Sequence, residues 1–429
     1  MKLLLFLGVL IVLFVLGFSV PYAIGFTSII ILIAERGITG IPFDVIAQKM
    51  VSGANSFTLL AVPFFLFAGK LMNTGGITYR IFDFANEVVG RLPGGLGVAN
   101  VLTSVIFAGM SGSAVADCAG LGTIEIRAME EKGFDTPFSA GVTAASSTIG
   151  PVIPPSVPMV MFGVMGGVSI ASLLIAGLLP GILMGLTMSI LVVIISIKRH
   201  YPRNDDFSFR RLWKSFKKAF LPILTPVILI GGIMSGIFTP TEAAVVASIY
   251  ALMLCVFVYR QLSFKEFIQI CKDTIRESTT ILFIVGASTL YGYLLTRSQL
   301  PTILMDAMFQ LSTNKYIILL LVNVFLLIIG CFIECNAAIM ILAPMLVPMC
   351  TAVGVDGVQL GVIMVLNLMI GLLTPPVGMC LFTTARVANI RLETMIKASV
   401  PFYLPLGVVL LMVTFIPEIT LWLPRLLLG

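Results

Sequence analysis

The sequence predicts an all-α polytopic membrane protein, built from two pseudo-symmetric repeats, expected to be inverted with a parallel pair as the alternative, that carry re-entrant hairpins and broken helices. Three observations lead there. Of 429 residues, 59% are hydrophobic and 11% charged, with a mean hydropathy of +1.10; a soluble domain has about 45–50% and about 25%. This excludes a soluble enzyme, a disordered chain and a nucleic-acid binder. The chain also repeats itself at an offset of 221 residues. Finally, two long apolar segments are each interrupted by a proline pair. At roughly 20 apolar residues per crossing, there is room for about ten to twelve crossings.

At the N-terminus, Lys2 precedes the apolar run Leu3–Leu16. It resembles a signal peptide, but no A-x-A site follows and apolar character continues to Ile33, so a retained membrane helix is expected. Further apolar segments fall near 55–72, 98–124, 138–165, 168–197, 219–237, 241–259, 279–296, 315–352, 357–385 and 399–423. Between them, 41–52 and 260–277 are amphipathic. In the second, Leu262, Phe264, Phe267, Ile268, Ile270 and Ile275 alternate with charges, the pattern of a segment lying along the interface. Residues 198–218 hold eight basic and two acidic residues, so this loop carries the whole net charge of +6 and the remainder balances at 18 against 18. A short basic loop between apolar spans is cytoplasmic by the positive-inside rule. Trp213 and Trp422 suit interface anchors.

The repeat is carried by residues that shape the backbone. Gly109 meets Gly330, Gly133 meets Gly354, Asp135 meets Asp356, Ile149-Gly150 meets Ile370-Gly371, and Pro154-Pro155 meets Pro375-Pro376. Phe43 meets Phe264, each opening an amphipathic stretch. Over 109–155 there are nine identities in 47 positions. Gly17-x-x-x-Pro21 echoes Gly236-x-x-x-Pro240 at a slightly different offset. Two-fold internal repeats are typical of secondary transporters.

Four stretches, in two matched pairs, carry chemistry. Ser146–Pro158 (SSTIGPVIPPSVP) holds four prolines in eight residues, which no α-helix tolerates. Broken backbone at membrane depth survives only when buried in protein or lining a wet cavity, where freed carbonyls can bind cations and the next half-helix can face an anion. Leu372–Gly378 (LLTPPVG) repeats the break. Gly109–Asp117 (GMSGSAVAD) suits the tip of a hairpin descending through about 95–110 and returning through about 114–130, with Asp117 a functional candidate as an intramembrane ionisable group. Gly330–Asn336 (GCFIECN) is its counterpart, with Glu334. Ser113 matches Glu334 and Asp117 matches Ala338, so the two sites are alike but not identical. A hard cation such as sodium would find oxygens from Ser111, Gly150, Ile153 and Pro155 in one site, and from Gly330, Glu334, Thr374 and Val377 in the other. Ser113, Asp117, Ser147, Pro154, Ser156, Asn336, Gly371, Pro375, Pro376 and Gly378 would support ion or substrate. Glu242 reads as a helix-start residue, with Thr241 as its N-cap.

Other chemistries find no residues. His200 is the only histidine, in the basic loop, so no HExxH zinc site or usable Ser-His-Asp triad exists. The cysteines, Cys118, Cys255, Cys271, Cys331, Cys335, Cys350 and Cys380, are odd in number and form no CxxC. No Walker A motif occurs. Two alternatives remain: an intramembrane enzyme using Asp117 and Glu334 as an acid/base pair, and a passive channel.

The motifs resemble the large membrane subunit of TRAP (tripartite ATP-independent periplasmic) transporters. The matching stretches are VPFFLFAGKLMNTGGITYRI (62–81), FAGMSGSAVADCAGLG (107–122), SSTIGPVIPPSVPMVMFG (146–163), GIFTPTEAAVVASIYAL (236–252), GCFIECNAAIMILAPMLVP (330–348) and GLLTPPVG (371–378). Glu334 departs from the pattern, since the family more often carries Asp there. The resemblance implies an elevator-type, sodium-coupled symporter of organic acids in the bacterial inner membrane, not an enzyme, with Na+ as coupling ion and no other cofactor. It implies a separate small four-helix membrane (Q) subunit and a periplasmic substrate-binding (P) protein as partners. C4-dicarboxylates, sialic acid and other carboxylates are the family's substrates, and the overall look is nearest to the sialic-acid branch. On this scheme 1–90 are scaffold helices of repeat 1, and 91–165 its transport-domain hairpin and broken helix. Residues 166–309 are scaffold with the linker 198–218 and the start of repeat 2, 310–390 the second hairpin and broken helix, and 391–429 a C-terminal membrane helix.

Overall fold

A computed structural model describes residues 6, 8–74, 76–203, 208–300, 302–303 and 314–428, apart from the side chains of Val15, Thr74 and Ser111. The described residues are helices joined by short turns. In chain order they are α1 (Val9–Val15), α2 (Val20–Arg36), α3 (Phe43–Ala54), α4 (Ala61–Thr74), α5 (Ile77–Val89), α6 (Gly95–Ser111), α7 (Ala114–Ala119), α8 (Leu121–Glu131), α9 (Thr136–Ser147), α10 (Val157–Gly166) and α11 (Ile170–Ala176). The chain continues through α12 (Leu178–Arg199), α13 (Phe209–Met234), α14 (Pro240–Met253), α15 (Phe264–Arg297), α16 (Lys315–Gly330), α17 (Cys335–Ala352), α18 (Gly357–Gly371), α19 (Met379–Val387), α20 (Leu392–Ser399), α21 (Tyr403–Phe415) and α22 (Glu418–Leu428).

Six stretches among the described residues are long and apolar enough to cross a bilayer, or seven if the bent pair 43–54 and 57–73 counts as one. That is fewer than the ten to twelve crossings for which the apolar content gives room. The surplus goes into shorter apolar helices at 95–110, 157–166, 315–330 and 357–371. These are the arms of hairpins and broken helices. The first apolar segment is divided as well, because Gly17 turns the chain between α1 and α2 with φ +86°.

The offset of 221 is structural. Phe43 opens α3 and Phe264 opens α15. Ser113 caps α7 and Glu334 caps α17, each accepting a hydrogen bond from the backbone N–H three residues on. Asp135 and Asp356 cap α9 and α18, accepting from Phe138 N and Val358 N, after Gly133 and Gly354 with φ of +90° and +80°. A short acceptor at an N-cap satisfies an orphan N–H, which is why these positions match when the apolar residues between them do not.

The repeats are inverted. Along the α3–α4 pair and α15, contacts fall in opposite order. Lys49 Nζ lies 4.8 Å from the Tyr293 ring centre, Gly53 abuts Thr289, and Lys70 Nζ is 2.6 Å from Glu277 Oε1. These matched elements run antiparallel. Helix α2 lies parallel to α15, with Tyr22 against Phe283 at 5.5 Å and Ser298 Oγ donating to Glu35 Oε1 at 3.4 Å. Its counterpart α14 lies parallel to α4, joined by Thr241 to the Phe57 carbonyl, Ser248 to that of Phe64 and Cys255 to that of Leu71. These bonds recur every seven residues, the spacing of a continuous helical seam.

Two expectations need correction. The amphipathic stretch 260–277 is no separate interfacial segment: from Phe264 it runs unbroken into the apolar stretch as one 34-residue helix, α15. Its counterpart is bent by 51° between 43–54 and 57–73. The N-cap before Glu242 is Thr239, two residues earlier than expected. Thr239 Oγ1 accepts from Glu242 N and Glu242 Oε2 accepts from Thr239 N, a complete capping box with Pro240 at the first helical position.

Candidate functional site

Each hairpin tip meets the break that follows it. In repeat 1, α6 ends at Ser111, whose side chain lies outside the described residues. Gly112 then turns with φ +63°, and a Cβ there would lie 2.7 Å from the Pro155 carbonyl oxygen. The break itself, 148–156, is buried throughout. Ser156 closes it, donating to the Pro151 carbonyl and accepting from Met159 N at 3.1 Å to start α10. Ser147 Oγ donates to the Thr143 carbonyl at 2.8 Å. Among the described residues, no backbone N–H is directed at the carbonyls of Gly150, Ile153 or Pro155. Buried carbonyls without such a donor are what a hard cation needs.

In repeat 2, Val377 N donates to the Cys331 carbonyl at 3.2 Å, tying break to tip. A Cβ on Gly371 would sit 2.5 Å from Gly330 Cα, so the backbones touch and neither glycine can be replaced without displacement. Thr374 Oγ1 donates to the Ile370 carbonyl at 2.9 Å, while the Gly330 and Val377 carbonyls receive no backbone N–H among the described residues. Glu334 Oε1 accepts from Asn336 Nδ2 at 2.9 Å and Oε2 from Ala337 N at 3.1 Å. Glu334 is half-buried, not sealed, and Pro375, Pro376 and Val377 are exposed. Gly378, with φ +49°, opens α19. Both diproline bonds, Pro154-Pro155 and Pro375-Pro376, are cis.

The breaks are crossed over. Helix α10 packs on α17 and α18 of the other repeat, and α19 packs on α7 and α9. The two sites are thus locked into one body. Within each repeat a polar clamp joins hairpin to broken helix. Ser146 Oγ donates to Asn100 Oδ1 at 2.7 Å, and Asn367 Nδ2 to Asn323 Oδ1 at 2.8 Å. Ser146 and Asn367 are matched at the repeat offset; the clamps went unread in the sequence, although a polar residue in an apolar span is the signal.

A cavity of about 670 Å³ opens beside this body. Gly112, Ser113, Pro151, Glu334 and Asn336 line one side, and α15 with the start of α2 lines the other. Asp117, Ser147, Gly150, Ile153, Pro154, Pro155 and Ser156 are buried behind this wall, whereas Pro375, Pro376 and Val377 are exposed. Asp117 is fully buried, and a Cβ on Gly150 would lie 2.7 Å from its Oδ2. Glu125, which sequence reasoning passed over, is also fully buried, with neither carboxylate oxygen hydrogen-bonded among the described residues. Asp117 sealed behind one break and Glu334 capping a helix at the cavity do not form an acid/base pair within one pocket.

An inverted repeat with two crossed, broken helices over an open cavity defines a secondary-transporter permease. The chain belongs to the Tripartite ATP-independent periplasmic transporter, DctM component, family, which matches residues 7–419. It is 46% identical over 413 residues, 96% of each chain, to the sialic acid TRAP transporter large permease protein SiaM of Vibrio cholerae. It is 39% identical over 380 residues to the sialic acid TRAP transporter permease protein SiaT of Haemophilus influenzae, covering 89% of this chain and 62% of that one. To the C4-dicarboxylate TRAP transporter large permease protein DctM of Pseudomonas aeruginosa it is 38% identical, covering 89% of each. Its fold is similar to that of the Alcanivorax borkumensis YdaH transporter, with a TM-score of 0.61 at 16% identity over 87% of each chain. The chain is a multi-pass protein of the bacterial inner membrane.

Proposed function

We propose that this permease imports N-acetylneuraminate, a sialic acid, in symport with sodium, receiving it from a periplasmic binding protein. The observation that carries the substrate is the 46% identity to the sialic acid permease across 96% of both chains. Similarity to a C4-dicarboxylate permease at 38% keeps a dicarboxylate as the alternative substrate. The carbonyls of Gly150, Ile153 and Pro155, and of Gly330 and Val377, which receive no backbone N–H among the described residues, support one sodium site per break. Ser111, Glu334 and Thr374 would complete them. Uncompensated carbonyls at membrane depth repel one another and attract a cation, which then fixes the tip on its break. Sodium would thereby shape the cavity wall for substrate. The crossed breaks support movement of both hairpins as one body past α2–α4 and α13–α15, an elevator motion. A separate small membrane subunit would extend that scaffold.

The test is uptake of labelled N-acetylneuraminate into proteoliposomes holding this chain with its small membrane subunit, with binding protein outside and an inward sodium gradient. Accumulation that vanishes without sodium or without binding protein is expected. Ser111→Ala and Thr374→Ala are each expected to cut it at least tenfold. Accumulation of a C4-dicarboxylate alone would replace the substrate; conduction without binding protein or sodium would contradict the mechanism.

A further inference from the structure

The geometry points to Arg276 as the cavity's anchor for the substrate's carboxylate, engaged only when the cavity is open to the cytoplasm. The inference rests on the transport reading above and adds a recognition residue to it. Along α15, Arg276, Thr280 and Ile284 share the face that lines the cavity, opposite Ser113 and Glu334. Their spacing of four places them one above another, so Arg276 belongs to this wall and not to a lipid-facing stripe. Among the cavity-lining residues Arg276 is the only cation. The three acids that line the cavity with it already have partners. Glu277 pairs with Lys70 at 2.6 Å, Asp273 accepts from Gln269 Nε2 at 3.0 Å, and Glu334 accepts from Asn336 and Ala337. Arg276 makes no ion pair among the described residues. Its planar fork of donors matches a carboxylate bidentately, as a lysine would not.

Sidedness follows from the chain path. With the basic loop 198–218 cytoplasmic, α13 crosses outward, α14 returns, and α15 starts at the cytoplasmic face. Arg276 lies twelve residues beyond Phe264, about 18 Å along the helix. It stands on α15, whereas the ion sites stand on the hairpins and breaks. A substrate carried by the latter meets Arg276 at this end of its travel, where a fixed cation draws a carboxylate away from sodium-supported contacts.

The experiment uses the complete transporter in proteoliposomes with labelled N-acetylneuraminate, or the carboxylate that the wild type is found to carry. Half-saturation is measured for substrate on the side that the α15 N-terminus faces, by counterflow, and separately for delivery by the binding protein. Arg276→Gln is expected to raise the first at least tenfold, leaving the second and the sodium half-saturation within twofold. Arg276→Lys is expected to fall between. Unchanged values in Arg276→Gln, or equal changes on both sides and for sodium, would overturn the inference. Should Arg276→Gln lose transport altogether, Arg276→Cys decides. Protection of its thiol from a charged methanethiosulfonate by substrate supports the anchor, and equal labelling with and without substrate refutes it. A wild type that carries no carboxylate at all would contradict the transport reading itself, before any variant is made.

Discussion

Gly112 shows how little freedom the site leaves a single residue. Its φ of +63° favours glycine, and any Cβ would press on the Pro155 carbonyl at 2.7 Å. Gly112→Ala is expected to move that carbonyl and lower sodium-dependent uptake at least tenfold, while the protein still elutes as a monodisperse complex; uptake within twofold of wild type would show that the carbonyl is no ligand. Legibility at this scale depended on whether a residue bends the chain. Pro154, Pro155, Pro375 and Pro376 announced themselves, because a proline pair does not continue a helix, and Gly150 through its match with Gly371. Thr239 was readable as a capping box with Glu242, yet the nearer Thr241 drew the assignment. Arg276 was hidden because a charge on an amphipathic stretch reads equally well as an interface residue; only the fold shows that its face meets a cavity.

At the scale of elements, the crossed half-helices hold the site together, and the two clamps fix hairpin to break. Asn367→Ala leaves Asn323 Oδ1 without its 2.8 Å donor. Interhelical hydrogen bonds between membrane helices contribute about 0.6 kcal/mol, with a maximum near ~1.7. A small fall in Tm in detergent is therefore expected, together with weaker sodium dependence, because the partner of α18 in the clamp is the arm ending at Gly330. No change in either would reduce the clamp to incidental packing. Hairpin arms were legible as apolar runs on either side of small or polar tips. Helix α15 was not, because its N-terminal half gives way to an apolar half at 278 without any break in the backbone. Hydropathy alone cannot distinguish a cavity-lining charged face from a helix end at the membrane surface.

For the whole molecule, the repeat was visible as an offset, but its hand was not. Glycines, prolines and aspartates coincide at 221 whichever way the second copy is inserted. The antiparallel course of α3–α4 and α15 settles the inversion through contacts such as Lys70–Glu277, 207 residues apart in the chain. Apolar content gives room for more crossings than there are long apolar helices among the described residues, because an apolar hairpin arm has the composition of a span at a fraction of its length. The central claim is that both breaks bind sodium and act together on one substrate. The measurement that tests it most directly is the sodium dependence of uptake at saturating binding protein and substrate. The account predicts a sigmoidal curve with a Hill coefficient above 1 that falls toward 1 in Thr374→Ala. Uptake that is hyperbolic in sodium in both proteins, or indifferent to sodium, would contradict it.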